Sequence, residues 1–277
     1  MIFKAALSTA VSTHDAIREV AEPVAAIAPD LVLVFMSMHH GPNFESVLAD
    51  LRDAIPCRNL IGCTGDGIIG PDREVEQGPA IAAWGAKMPG VRALPFFIDQ
   101  NDVVNFDDNA AWYDRLGVTP DDKPNFVVLP DPFSIHMERC LAQMDDAFAG
   151  STIVGGMASG ARAQGENRLF LNDQVLRQGM VGVSLTGPVR IHAIVSQGCR
   201  PVGEPFVITK ADENIIFELR GKPALDVLRG VFNDANSADQ ALMQQGVHVG
   251  RVVDERAGAM GKGNFLIRNV AGVVQDD

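Results

Sequence analysis

The chain alternates short, fully apolar runs with amphipathic stripes. Phe3 to Leu7 reads as a strand. Ser12 and Thr13 offer N-caps, and Ala16, Ile17, Val20, Val24 and Ile27 follow at helical spacing. "LVLVFMS" from Leu31 is apolar throughout, as expected of a strand buried on both faces. Phe44, Val47, Leu48, Leu51 and Ile55 then form one stripe of an amphipathic helix. "NLIGCT" is the next strand. This alternation predicts an α/β fold with parallel pairing in at least part of its sheets.

The pattern comes twice. "APDLVLVF" (28–35) resembles "KPNFVVLP" (123–130) at an offset of 95, and "LADLRDAI" (48–55) resembles "LAQMDDAF" (141–148) at an offset of 93. The stripe pairs as Phe44/Met137, Val47/Cys140, Leu48/Leu141, Leu51/Met144 and Ile55/Phe148, all 93 apart. "IGCTGDG" matches "VGGMASG", with Gly62/Gly155 and Gly67/Gly160 again 93 apart. Any two β-α-β units share some likeness, but a near-constant offset through strand, helix and loop favours duplication. The expected organisation is a first repeat over 1–118, a second over 119–203 and a partial α+β segment over 204–277. The two repeats are expected to form duplicated strand-helix-strand units, with mixed sheets and outer helices.

Gly65-Asp66-Gly67-Ile68-Ile69-Gly70 fits G-x-G-x-x-G. A dinucleotide loop must open a helix, whose N-terminus holds the pyrophosphate. Here the loop leads into "IIGPDREVEQGP" and then two apolar strands around Pro89-Gly90, so it joins strand to strand. The second copy, from Gly155 to Gly160, loses the spacing. What both copies keep is a glycine-rich turn after a buried strand. Such a turn allows close backbone approach, and its free N–H groups suit an anion or carboxylate; a tight turn with no ligand is the other reading.

The segment "NLIGCTGDGIIGPDREVEQGPAIAAWGAKMPG" resembles the core of the FIST N domain (F-box and intracellular signal transduction), through Gly62, Cys63, Gly67, Gly70 and Glu74. "PFVITKADENIIFELRGKPALDVL" and "GNFLIRNVAGV" are similar to the start of the FIST C domain, notably at Glu218-Leu219, Lys222-Pro223-Ala224-Leu225 and Phe265 to Asn269. That domain normally runs on well past the "LIRN" strand, so the chain looks like a short or trimmed version. The resemblance implies a sensory module of intracellular signalling that holds a small ligand, such as an amino acid or similar anion. It also implies an alternative, because some members are haem-binding gas sensors.

Composition narrows the partners. The formal charge of −12 argues against nucleic acid and anionic lipid. "MIFKAALSTAVSTHDAIREV" is not a signal peptide, and no run approaches the roughly 20 apolar residues of a membrane span. Cys57, Cys63, Cys140 and Cys199 form no C-x-x-C, so reduced thiols and a cytoplasmic location are expected. Near the C-terminus, "KADEN" suggests the turn of a hairpin, Pro223 a first helical turn, and Leu225, Leu228 and Phe232 an apolar face; Arg268 is expected to face solvent.

Candidate chemistry lies in the loops after strands, where α/β proteins build their sites. "HHGPN" and "DPFSIH" hold equivalent places in the two copies. A site between copies would use Ser37, His39, His40, Asp131, Ser134 and His136, with turn residues Cys63, Thr64, Gly65, Asp66, Gly67, Gly156, Ser159 and Gly160. Each also has a plain structural reading, as a helix cap or surface polar group. His39, His40 or His136 would be the axial ligand in the haem alternative. A Cys63-dependent enzyme is the third reading, weakened by the absence of a nearby base in sequence. No resident cofactor or metal is expected. The expected partners are a small-molecule ligand and a signalling protein.

Overall fold

A computed structural model describes residues 1–193, 199, 201–252, 265–270 and 272–273. The chain divides into two compact units, Met1–Ala193 and Ile194–Asp277.

In the first unit the chain runs β1 (Ile2–Ser8), α1 (Thr13–Ala25), β2 (Leu31–Met36), α2 (Phe44–Ala54), β3 (Asn59–Thr64), β4 (Ile68–Ile69), β5 (Glu74–Val75) and β6 (Ile81–Lys87). It continues through β7 (Arg92–Ile98), α3 (Gln100–Asn105), α4 (Asn109–Leu116), β8 (Asn125–Pro130), α5 (Met137–Ala147), β9 (Ile153–Gly155), β10 (Leu169–Leu171), β11 (Gln174–Leu176) and β12 (Met180–Thr186). One sheet has the order β1-β6-β2-β3-β10-β11 and the other β7-β12-β8-β9. Both are mixed: β2 pairs β3 in parallel and β8 pairs β9 in parallel, while the other ladders are antiparallel.

The two sheets correspond strand for strand. β1-β6-β2-β3 has the order and directions of β7-β12-β8-β9. Registers agree as well. Ser8 and Met36 flank Ile81, as Ile98 and Pro130 flank Met180. Gly62 lies opposite Val34, as Gly155 lies opposite Val128. The strand Arg92–Ile98, inside the segment 1–118 read as a first repeat, is paired in the second sheet. The hairpin β10–β11 crosses over and extends the first sheet, with Phe170 opposite Gly62.

The layers follow from side-chain alternation. In β2, Val32, Val34 and Met36 pack with the buried faces of α1 and α2, while Leu31, Leu33 and Phe35 point the other way. That second set meets Leu129, Val181, Val183 and Leu185 of the other sheet, together with Cys63 and Leu169. α3, α4 and α5 cover the far side of the second sheet around Trp112, Phe126, Met144 and Phe148. The result is four layers, helix, sheet, sheet, helix. Ser12 caps α1 by accepting from the Asp15 amide, as its position predicts. One stripe residue departs from the pattern: Leu48 is 1% exposed, but Leu141 of α5 is 37% exposed. The thirteen-residue α1 packs along α2, whereas the chain between β7 and β8 is broken into the six-residue α3 and eight-residue α4.

The second unit contains β13 (Ile208–Asp212), β14 (Ile215–Leu219), β15 (Lys222–Pro223), α6 (Ala224–Asp234), α7 (Ser237–Gln245), β16 (His248–Val252) and β17 (Phe265–Asn269). β13 and β14 form the expected hairpin, turning at Glu213 with φ +46°. Pro223 stands just ahead of α6 as its N-cap residue. Arg268 is exposed on β17, as alternation suggested. Parts of the segment matched to "GNFLIRNVAGV" and residues 194–198 fall outside the described residues.

Candidate functional site

The glycine turns of the two sheets meet. β3 ends at Thr64, and Gly65 turns back with its amide donating to the Met36 carbonyl at 3.0 Å. The Asp66 amide donates to Ser159 Oγ at 3.2 Å. In return the Ser159 and Gly160 amides donate to the Thr64 carbonyl at 3.2 and 3.3 Å. Gly156 and Ala158 donate to the carbonyls of Val128 and Pro130. Gly160 lies so close that a Cβ there would sit 2.7 Å from Thr64 Cβ. Most of the turn N–H groups that a carboxylate would use are therefore engaged with protein acceptors. Gly67 and Gly156 face open space.

Cys63 lies between the sheets, 4% exposed, and burial pushes its thiol up to about 12. At neutral pH it stays protonated, which removes the thiolate that nucleophilic chemistry needs.

In the loop after β2, Ser37 and His40 are buried and His39 is exposed. The Ser37 hydroxyl accepts from the Ala80 amide at 2.9 Å, and Ser37 is buried. His39 is exposed in a short 3-10 helix, Met38–His40. His40 is buried, with Nδ1 3.1 Å from Thr13 Oγ1 at the start of α1 and Nε2 without a hydrogen-bond partner. Burial, with the neighbouring His39, holds its pKa below the usual histidine value.

The loop after β8 builds both a buried network and an open cleft. Asp131 and Asn167 are fully buried, and so is Thr64. Asp131 Oδ2 accepts from Ser134 Oγ at 2.5 Å, and its Oδ1 accepts from Asn167 Nδ2 at 2.9 Å. Thr64 Oγ1 donates to Asn167 Oδ1 at 3.4 Å and accepts from the Arg168 amide at 3.0 Å. The Gly179 amide donates to Ser134 Oγ at 2.8 Å. Asp131, Ser134 and Thr64 are thus joined through Asn167, a residue with no visible signal in the sequence.

Ser134 and His136 also line a cleft of about 560 Å³ at the C-terminal end of β8. The remaining walls are Asp99, Gln100 and Asn101 at the start of α3, Pro132, Phe133 and Ile135, and Gln164, Gln178 and Gly179. No lysine or arginine lines it. His136 caps α5, its Nδ1 accepting from the Arg139 amide at 3.4 Å, and its own amide donates to Gln100 Oε1 at 2.8 Å. Ser134, rather than capping α5, serves Asp131. Asp99 caps α3 in a capping box with Asp102, and the sequence reading singled it out neither as a cap nor as a wall. Gln164 and Gln178 lie in segments without periodicity, so nothing in the sequence marked them. His39 and His40 are not among the residues that line this cleft. A groove of about 510 Å³ between α1 and α2, with Arg18, Glu22, Asp50 and Asp53 on its walls, includes none of the expected residues.

Haem fits these surroundings poorly. A porphyrin needs two apolar walls and a free axial nitrogen. His40 is close-packed on α1, His39 is exposed, and His136 opens onto a cleft whose walls include Gln100, Asn101, Gln164 and Gln178. Among the described residues no group of three or more His, Cys, Asp or Glu side chains is placed to hold a metal ion, and no helix is long and apolar enough to cross a membrane.

Comparison with known proteins gives the family. The FIST N domain matches residues 30–222. An uncharacterized protein of Mycobacterium tuberculosis strain H37Rv is 35% identical over 272 residues, covering 96% of this chain and 69% of that protein. An uncharacterized protein of Mycobacterium bovis is 34% identical over 255 residues, covering 91% of this chain and 63% of its own length. The chain belongs to the FIST N domain family, a family of sensory modules in signal transduction.

Proposed function

We propose that this sensory module binds a small molecule of the amino-acid type in the cleft beside Ser134 and His136. The observation that carries the reading is the fixed polarity of the cleft wall. His136 Nδ1 accepts a backbone N–H, so the neutral ring carries its proton on Nε2 and presents a donor. Gln100 spends its oxygen on the His136 amide, which leaves its NH2 as a donor. Of opposite polarity, the Ser134 oxygen, which accepts from the Gly179 amide, and the Asp99 carboxylate are acceptors. A zwitterion matches both poles, its carboxylate facing His136 and Gln100 and its ammonium facing Ser134 and Asp99. A plain carboxylate matches only one pole and finds no cation on the walls.

Matching strand order and register support an origin by duplication. In this reading the glycine turns join the copies, and the ligand lies at the edge of the second. Output passes to a signalling partner in the cytoplasm. Isothermal titration of the twenty protein amino acids against the wild type and Gln178→Leu tests the site. The expected result is binding of at least one, weakened about tenfold or more in the variant, since an unpaired polar contact costs on the order of 1–3 kcal/mol. Equal affinity in a folded variant would place the site elsewhere.

A further inference from the structure

We propose that buried Asp131 acts through Ser134 to make the cleft select a ligand bearing an amine at that end; this rests on the reading of the cleft as the ligand site. Asp131 is fully buried, and its two oxygens accept from a hydroxyl and an amide, Ser134 Oγ–H at 2.5 Å and Asn167 Nδ2–H at 2.9 Å. A buried carboxylate held only by neutral donors is a poor way to gain stability, because apolar packing does so without the desolvation cost. Its effect on Ser134 is specific. A hydroxyl has one hydrogen and two lone pairs. Asp131 takes the hydrogen, and the Gly179 amide takes one lone pair at 2.8 Å. What remains toward the cleft is a single lone pair, so Ser134 can only accept.

The arrangement is held from behind. Asn167 Nδ2 also reaches the Ala158 carbonyl at 3.3 Å, and its oxygen accepts from Thr64 at the meeting of the two turns. The amide of Asn167 is therefore oriented so that its NH2, and not its oxygen, faces Asp131. Both Asp131 oxygens thus face donors, Ser134 Oγ–H and Asn167 Nδ2–H. Asp131 is a positioning residue: it fixes the polarity of a group that meets the ligand.

The test compares affinities for matched pairs, each protein amino acid beside the carboxylic acid lacking its amine, by titration calorimetry on the whole chain. For wild type the expected preference is about tenfold or more for the amine-bearing member, since a site built to hydrogen-bond a group rejects the analogue without it. In Asp131→Asn the amide can donate to Ser134, freeing the serine hydrogen to point outward, and the preference should fall by about threefold or more. Ser134→Ala should lower it likewise, leaving the part due to Asp99, and it decides the matter if Asp131→Asn does not fold. A purely structural role would weaken both members of a pair alike and leave their ratio unchanged. A preference unchanged from wild type in either folded variant overturns the inference while the cleft stands. Failure of the wild type to bind any member overturns both.

Discussion

Asp66 and Ser159 are 93 residues apart and joined by a hydrogen bond, the Asp66 amide donating to Ser159 Oγ at 3.2 Å. The separation equals the offset that relates the two glycine segments, so equivalent positions of the two turns hold each other. Ser159→Ala removes the acceptor and leaves the amide to solvent. Urea unfolding should show a loss of about 0.5–1.5 kcal/mol. Asp66→Ala keeps the amide and should cost less. Equal midpoints for Ser159→Ala and wild type would contradict the contact.

Gly62 and Gly155 face the same obstacle in the two sheets. A Cβ at Gly62 would lie 2.1 Å from the Val34 carbonyl oxygen, and one at Gly155 would lie 1.8 Å from that of Val128. Backbone in a parallel ladder cannot swing aside as a side chain can. Gly62→Ala and Gly155→Ala should each cost about 3 kcal/mol or more, at the upper end of overpacking effects. Thermal melts of both variants check this; Gly67→Ala, where a Cβ meets nothing within 4 Å, is the control.

His40 predicts how stability depends on pH. Burial, with His39 beside it, holds its folded pKa below the ordinary 6.5. The unfolded chain therefore binds the proton first as pH falls. The contribution of neutral His40 is fully present above 6.5 and is lost as pH drops from there through the lowered folded value. Urea midpoints between pH 8 and 5 should fall, and His40→Gln should flatten the part of that fall due to this ring. An unaltered pH profile in the variant would count against it.

Thiol labelling tests the inertness of the buried cysteines. Burial pushes both Cys63 and Cys140 up to about 12. Neither should react with iodoacetamide at pH 8 until the protein unfolds, because the thiolate is the reactive form. Rapid modification of Cys63 in native protein would reopen thiol chemistry at the first turn.

Much of the fold was legible because its elements are strongly periodic. The stripe from Phe44 to Ile55 and the run from Leu31 forecast their helix and strand, since the helix buries one whole side and the strand is packed on both faces. The crossing of β10 onto β3 was not legible. Leu169 to Leu171 is too short to show a period, and strand pairing depends on partners more than a hundred residues away. Thr64, Ser159 and Gly160 were picked out and do come together, but as a junction. Ser134 and His136 were singled out because loops after strands are marked by their place, and both line the cleft. Gln100, Gln164 and Gln178 were not, because a side-chain amide looks the same in sequence whether it faces solvent or a cleft.

Side-chain amides make the most direct reporters of the central claim. Gln100, Asn101, Gln164 and Gln178 each carry an NH2 group on the cleft wall. With uniformly nitrogen-15-labelled protein, titration of an amino acid that binds by calorimetry should shift these four NH2 pairs together with the backbone amides of Ser134 and His136. Shifts confined to the turns at 63–67 and 156–160, with the four side-chain pairs unmoved, would contradict the account.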